Sequence, residues 1–339
     1  MASNLRDNVA LARVTQQPDI ESGLIVRSVG SGGVGTFTTR PIQCGTLLFA
    51  EPPLLLLSNR GRWDVELLDA YDGLTDDEKQ IYMDLGCNKR ALEMKGIYRP
   101  AAEGRPDVPL PHPDDADHMP PANTTLEGPL RIAGIFFTNY FQLGPGPYFG
   151  FCGIFPRLSK INHSCVPNVF AGYFCGMTKK YYLRVLRDLS AGEEIFLGYG
   201  NWSGTYGGRR RGLPFNCQCA LCLHPNRRLK DRERLDIHKH RNKLHCYVDA
   251  IVKGWAPDLF DEKALRLALL YLRRTQAENM YAFLPHCYEC LAFAWLRNGK
   301  LHSAERSIRE AESYDRMYNG HLAQPMNHFW DKFRELAPP

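Results

Sequence analysis

The sequence predicts an α+β protein, β-rich over its first two thirds and helical in its last third. Three observations carry that reading. Pieces rich in β-branched and aromatic residues ("GLIVRS", "TLLFAEPPLLLL", "NVFAGYF", "YYLRVLRDL", "EEIFLGYG") alternate with glycine turns between about residues 20 and 200. A segment with eight prolines in thirty residues, Pro100 to Pro129, interrupts them and is expected to form a mobile insertion without regular structure. Past Cys222, apolar residues recur at spacings of three and four.

The elements follow in order. "VGSGGVGTF" is a tight turn between two strands, and it exposes backbone. Thr75 and Glu78 are spaced as a capping box ahead of "KQIYMDL", with Gly86 as the stop. Order returns after the prolines at "LRIAGIFFTNYFQL". In "LHSAERSIREAESY", Leu301, Ala304, Ile308, Ala311 and Tyr314 line one helical face, and "CYECLAFAWLRNGK" supplies its partner through a turn at Asn298-Gly299. Such a hairpin of small and aromatic residues resembles one tetratricopeptide-type unit.

A chain of 339 residues can bury a substantial core and suggests two domains. Its 44% hydrophobic and 23% charged content is that of a soluble globular protein. No window approaches the roughly 18 apolar residues of a membrane span, and "MASNLRDNVALARV" lacks the apolar segment of a signal peptide. An intracellular protein, nuclear or cytoplasmic, is therefore expected, and the sequons at Asn123 and Asn201 carry no meaning. The net charge of +5 is concentrated in Arg209-Arg210-Arg211 and in the run Asn226 to Lys243. Asp231, Glu233 and Asp236 share that run at helical spacing, so it reads as a solvated helix. No recognition-helix finger pattern accompanies it, and no direct nucleic-acid readout is expected.

Eleven cysteines in a reducing compartment point to metal ligands before disulfides. Cys217, Cys219 and Cys222 form C-x-C-x-x-C, and a tetrahedral Zn²⁺ needs a fourth ligand. The best candidate is Cys165, within "INHSCVPN" (Ile161 to Asn168), a bend where amide, imidazole, hydroxyl and thiol occupy successive residues. The alternative is a group of free thiols. Cys287 and Cys290 lie on an amphipathic helix and read as core.

Five motifs then occur in one direction: "GVGTF", "FFTNYF", "INHSCVPN", "AGEEIFLGYG" and "FNCQCALC". Their order resembles the SET-domain family of protein lysine methyltransferases, and within it the class with a split SET domain, a post-SET zinc site and a helical C-terminal domain. The resemblance covers roughly Ser22 to Leu223. It implies a SET domain over 20–200 split by an insertion at about 58–130, a post-SET zinc segment over 201–224 with one structural zinc ion, and a tetratricopeptide-like helical domain over 225–339. The fold implied is a β-rich, pseudoknot-like core of small sheets. Members of that class usually carry a second zinc module, the MYND finger, inside the insertion. Residues 54–131 hold only Cys87, so none is expected here.

The activity implied is methyl transfer from S-adenosylmethionine to a lysine of a protein or peptide substrate, by a chain that is expected to be monomeric. Gly33, Val34 and Gly35 would let the backbone approach the cofactor. Asn139, Asn162 and His163 would hydrogen-bond it, and Phe215 would stack on its adenine. Tyr199 would stand catalytically where cofactor and substrate meet, with Phe136, Phe137, Phe155 and Leu213 around the lysine. Glu193 and Glu194 read as turn or strand-edge residues. Leu213 stands where the family often has tyrosine, which leaves the number of methyl groups open. A non-catalytic scaffold that binds a partner through its helices is the competing expectation.

Overall fold

Glycine turns and prolines keep the strands of the first half short, so each pairs with a segment far away in sequence. The computed structural model describes residues 23–29, 33–58, 63–95, 128–144, 150–172, 174–255 and 261–319, with Asp331, Phe333 and Glu335. β1 (Leu24–Val29) and β2 (Gly33–Thr38) form an antiparallel hairpin, Leu24 opposite Thr38 and Val29 opposite Gly33. The expected single piece "TLLFAEPPLLLL" is two strands, β3 (Leu47–Glu51) and β4 (Leu55–Ser58). Pro52 and Pro53 divide them because proline donates no ladder hydrogen bond.

Three helices follow: α1 (Trp63–Asp72), α2 (Asp76–Met83) and α3 (Lys89–Met94). The capping box on α2 is present. The Thr75 hydroxyl accepts from the Glu78 N–H, and the Glu78 carboxylate accepts from the Thr75 N–H at 2.9 Å. Residues 100–127 of the proline-dense insertion lie outside the described residues. Its end does not lack regular structure, however. Gly128 and Pro129 open α4 (Gly128–Asn139), where proline in a first turn forfeits no hydrogen bond.

The remaining strands are β5 (Tyr140–Gln142), β6 (Phe151–Ile154), β7 (Asn162–His163), β8 (Val169–Phe170), β9 (Tyr181–Val185) and β10 (Phe196–Leu197). They build antiparallel sheets of order β3-β9-β8 and β4-β6-β5, and a short parallel pair, β10-β7. Phe155, Leu158, Ile161, Leu183, Val185 and Ile195 are fully buried beneath them.

After α5 (Tyr206–Arg211) the chain is helical: α6 (Arg227–Val252), α7 (Asp261–Ala277), α8 (Leu284–Arg297) and α9 (Leu301–Asn319). Gly299 closes the α8–α9 hairpin at φ +68°, in the left-handed region that favours glycine. Ala304, Ile308 and Ala311 are fully buried on α9, and Cys287 and Cys290 are core, in keeping with their helical spacing. The basic run is helical too, but its reading as a solvated face holds only in part, because Arg234 on α6 is entirely buried. α9 also touches the strands: the Tyr318 hydroxyl donates to Leu186 O at 3.4 Å. Among the described residues, no helix is long and apolar enough to cross a membrane.

Candidate active site and metal centre

The bend Ile161–Asn168 is held by its own polar groups, each bound to a different part of the chain. A 3₁₀ turn, Leu158–Lys160, leads into it. The Glu51 carboxylate holds that turn, accepting the Arg157 and Leu158 N–H groups at 2.7 and 3.0 Å. Asn162 donates through Nδ2 to Val34 O at 2.9 Å and to Glu194 Oε1 at 2.8 Å, tying the bend to β2 and to the segment before β10. Ser164 Oγ accepts the Val166 N–H at 3.1 Å and tightens the turn. Asn168 donates to Glu194 O at 2.9 Å and accepts the Phe196 N–H at 2.7 Å, which fixes the β7–β10 register from its far side.

His163 sits between the two halves of the site. Its Nδ1 accepts the Tyr199 N–H at 2.9 Å, so the ring proton resides on Nε2, which lies 3.3 Å from Cys165 Sγ. Burial holds its pKa down at about 4, so the ring is neutral. Rings converge here: His163 to Tyr199 at 5.2 Å, His163 to Phe215 at 6.0 Å and Tyr199 to Phe215 at 6.5 Å between centroids. The Tyr199 hydroxyl donates to Ile161 O, and burial pushes its pKa well above the usual phenol range. A neutral phenol whose proton is already engaged keeps its oxygen lone pairs for a ligand.

The sulfur atoms of Cys165, Cys217, Cys219 and Cys222 lie within 4.8 Å of one another. Cys165 and Cys222 are 3.6 Å apart. With Zn–S bonds of about 2.3 Å, a tetrahedron has S–S edges of about 3.8 Å. The cluster therefore has the size and donor chemistry for one such ion. Hydrogen bonds from the other three thiols pull Cys219 well below the ordinary thiol range.

Two buried arginines brace this cluster from the helical side. Arg209 donates to Gly204 O at 2.6 Å, reaches Asp231 at 3.4 Å and lies 3.9 Å from Cys222 Sγ. Arg234 donates to Cys165 O and Trp202 O, both at 3.0 Å, and pairs with Glu278 at 3.4 Å. Lys230 completes that pair from the other side, 2.7 Å from Glu278.

The expected site residues divide into two groups. Val34, Gly35, Asn162, His163, Tyr199, Phe215 and the four cysteines are linked by the contacts above and by Glu194 beside Gly35, while Gly33 precedes Val34 at the start of β2. Asn139 stands at the end of α4, donating to Gly86 O and Ile135 O at 2.6 and 2.7 Å. Leu213, 3% exposed, lies two residues before Phe215. The three phenylalanines expected around the lysine pack into two hydrophobic clusters. Phe136 and Phe137 pack with Tyr140 in a separate cluster against α1, α2 and β4, because their face of α4 is the one turned to that core. Phe155 is wholly enclosed by Phe141, Phe174 and Tyr181. Glu194 is more than a strand-edge residue. It anchors Asn162, and a Cβ on Gly35 would lie 2.4 Å from its Oε1. Sequence reasoning also misses Arg209, Arg234 and Glu278, whose partners all lie on other elements.

Residues 33–200 match the SET domain family. Over 101 residues the chain is 33% identical to histone-lysine N-methyltransferase SET5 of Yarrowia lipolytica, covering 29% of this chain and 19% of that protein. Over 117 residues it is 32% identical to human histone-lysine N-methyltransferase SMYD3, covering 32% of this chain and 25% of the relative. A putative SET domain-containing protein, L678 of Acanthamoeba polyphaga mimivirus, is 22% identical over 196 residues, 56% of this chain and 74% of its own length. The chain thus aligns with only a fifth to a quarter of the first two relatives.

Proposed function

This chain belongs to the SET-domain family, and from that premise we propose that it is an S-adenosylmethionine-dependent protein-lysine N-methyltransferase carrying one structural zinc ion. The observation that supports this best is the convergence of Tyr199, His163, Asn162 and Phe215 on one bend, clamped from behind by four thiols. When bound, S-adenosylmethionine supplies an electrophilic methyl group on a sulfonium.

The residues fit that cofactor. Asn139 and Asn162 both spend their amide hydrogens on protein acceptors, so each offers a carbonyl oxygen suited to an ammonium group. Among the described residues, a Cβ at Gly33 would meet nothing closer than 3.8 Å, which leaves room for a ligand beside it. Phe215 is half-buried and offers a ring face for a heterocycle. Cys165, Cys217, Cys219 and Cys222 would hold the zinc ion, and His163 Nε2 would orient Cys165.

The substrate is a lysine side chain on a protein. Free lysine has a pKa of about 10.4 and must lose its proton before it has a lone pair. An aliphatic and aromatic wall made by Leu213, Phe215 and Tyr199 disfavours the ammonium, and water carries the proton away. The Tyr199 phenol oxygen, whose proton is engaged by Ile161 O, would accept weak C–H···O contacts and orient the amine. Alignment of donor and amine away from water would supply most of the acceleration. Leu213 favours one alternative, a non-catalytic scaffold acting through the α8–α9 hairpin, because it contributes no hydroxyl to the amine.

The test is transfer of tritiated methyl from S-adenosylmethionine into proteins of a cell extract, with cofactor binding measured by calorimetry. Wild type is expected to label at least one protein. Tyr199→Phe should lower the rate by about a hundredfold while changing cofactor affinity less than threefold. Binding heat without any labelling would overturn the catalytic reading in favour of the scaffold.

A further inference from the structure

The exposed face of α6 is cationic, and two of the three acids in its basic run, Asp231 and Glu233, are engaged off that face. Arg228, Arg232, Lys239 and Lys243 are all exposed and fall at helical steps of 4, 7 and 4, on one face about 22 Å long at 1.5 Å per residue. The sequence alone suggests that Asp231, Glu233 and Asp236 neutralise this run. The structure engages two of them off this face and shares the third, Asp236, between Arg274 and Lys239. Asp231 accepts the Tyr206 N–H at 2.7 Å and pairs with Arg209, and Glu233 pairs with Lys230 at 2.9 Å. Asp236 pairs with Arg274 at 2.8 Å and reaches Lys239 only at 3.8 Å. Lys239 remains 73% exposed.

The face also carries apolar surface. Leu235 sits among the four cations and is 43% exposed, while Leu229 at their margin is 49% exposed. Neither leucine belongs to the core that Ile237, Leu244 and Tyr247 form on the buried side of the helix. A phosphate backbone has no use for them, whereas a peptide with both carboxylates and apolar side chains would satisfy both kinds of group.

We propose that this face of α6 is a docking surface for an acidic, leucine- or aromatic-containing peptide segment of a partner protein. The surface is separate from the Tyr199 site, and the proposal does not rest on methyl transfer. It commits to opposite charge and apolar contact together, and each can be removed on its own.

The experiment uses the full chain and three fluorescein-labelled probes: a 16-residue Glu/Leu peptide, its Lys/Leu counterpart and a 20-base-pair DNA duplex. Anisotropy is measured at about 0.05 and 0.3 M salt. Wild type is expected to bind the acidic peptide, more weakly at high salt, and to bind it at least about tenfold more tightly than either other probe. Arg232→Glu/Lys239→Glu should weaken that binding about tenfold or more, and Leu235→Ser about threefold. Unchanged thermal melts would show that these exposed substitutions leave the fold intact, and Tyr199→Phe should bind like wild type. The proposal is overturned by absent peptide binding, by equal affinity in the charge-reversal variant, or by duplex binding as tight as the peptide's. The last result would assign the face to nucleic acid.

Discussion

Replacing Arg234 by methionine should destabilise the protein by about 3 kcal/mol. The side chain is entirely buried and donates to Cys165 O and Trp202 O at 3.0 Å, with Glu278 at 3.4 Å. Methionine keeps much of the aliphatic volume, so the loss is chiefly electrostatic. Two carbonyls lose charged donors, at about 1.5–3 kcal/mol each before relaxation. Glu278, itself nearly buried, would lose one of two cationic partners; removing a sole partner costs about 3–5 kcal/mol. Lys230 remains 2.7 Å from that carboxylate and is itself partly exposed, which limits the penalty. These contributions share a network and do not add, hence the intermediate figure. The assay is urea unfolding followed by far-ultraviolet circular dichroism, with Arg234→Met, Glu278→Gln and the double variant forming a cycle. The double variant should recover about 1 kcal/mol or more relative to the sum, because it removes the unpaired charge. A cost below about 1 kcal/mol for Arg234→Met, or strict additivity in the cycle, would refute the network.

Other outcomes follow from single contacts. Glu51, held by two N–H groups yet buried, has its pKa pushed up to about 7 from 4.5. The folded state therefore keeps a proton on Glu51 that the unfolded chain releases, and the contribution of this one group to stability should fall by about 3 kcal/mol as pH rises from 4.5 to above 7. Measured against Glu51→Gln, wild type should lose about 2–3 kcal/mol between pH 5 and 8, checked by urea midpoints of both proteins. Gly33→Ala should leave the ligand-free melting temperature within about 2 °C, since the added methyl meets only ordinary contacts, but should weaken S-adenosylmethionine binding about tenfold. Gly35→Ala should lower both, because its methyl displaces Glu194 from Asn162; calorimetry and thermal melts separate the two. Elemental analysis should find one zinc per chain, lost in Cys217→Ser, with melting lowered by 10 °C or more on chelation.

What the sequence discloses about this fold follows the range over which its interactions act. The capping box at Thr75 and Glu78, the Gly299 turn and the C-x-C-x-x-C spacing are local, and each is legible from a few neighbouring residues alone. The fourth thiol, Cys165, lies 57 residues from Cys222 and can be named only because zinc coordination demands four ligands. Phe136 and Phe137 escape sequence reasoning for a related reason. The motif fixes that aromatic residues are present, but packing of α4 against a second core decides which way they point. Arg209 and Arg234 give no signal at all, since a cation in a basic run looks the same whether solvated or buried, and Glu278 is distinguished only by its pairing with Arg234 and Lys230.

The bend at Ile161–Asn168 is conspicuous for the opposite reason. A local turn can use one or two side-chain hydrogen bonds, yet here Asn162, His163, Cys165 and Asn168 all carry polar groups within seven residues. Their partners lie 128, 36, 57 and 28 residues away, at Val34, Tyr199, Cys222 and Phe196. A surplus of hydrogen-bonding groups that no nearby backbone can absorb implies long-range partners, because leaving them buried and unpaired would cost about 1–3 kcal/mol each. The density of polar groups therefore marks the place where the chain crosses itself, and the crossing sets Tyr199 beside Asn162, His163 and Phe215. Cutting any one of those ties should loosen the locus as a whole, since β7 and β10 are only two residues long and have little ladder of their own to fall back on.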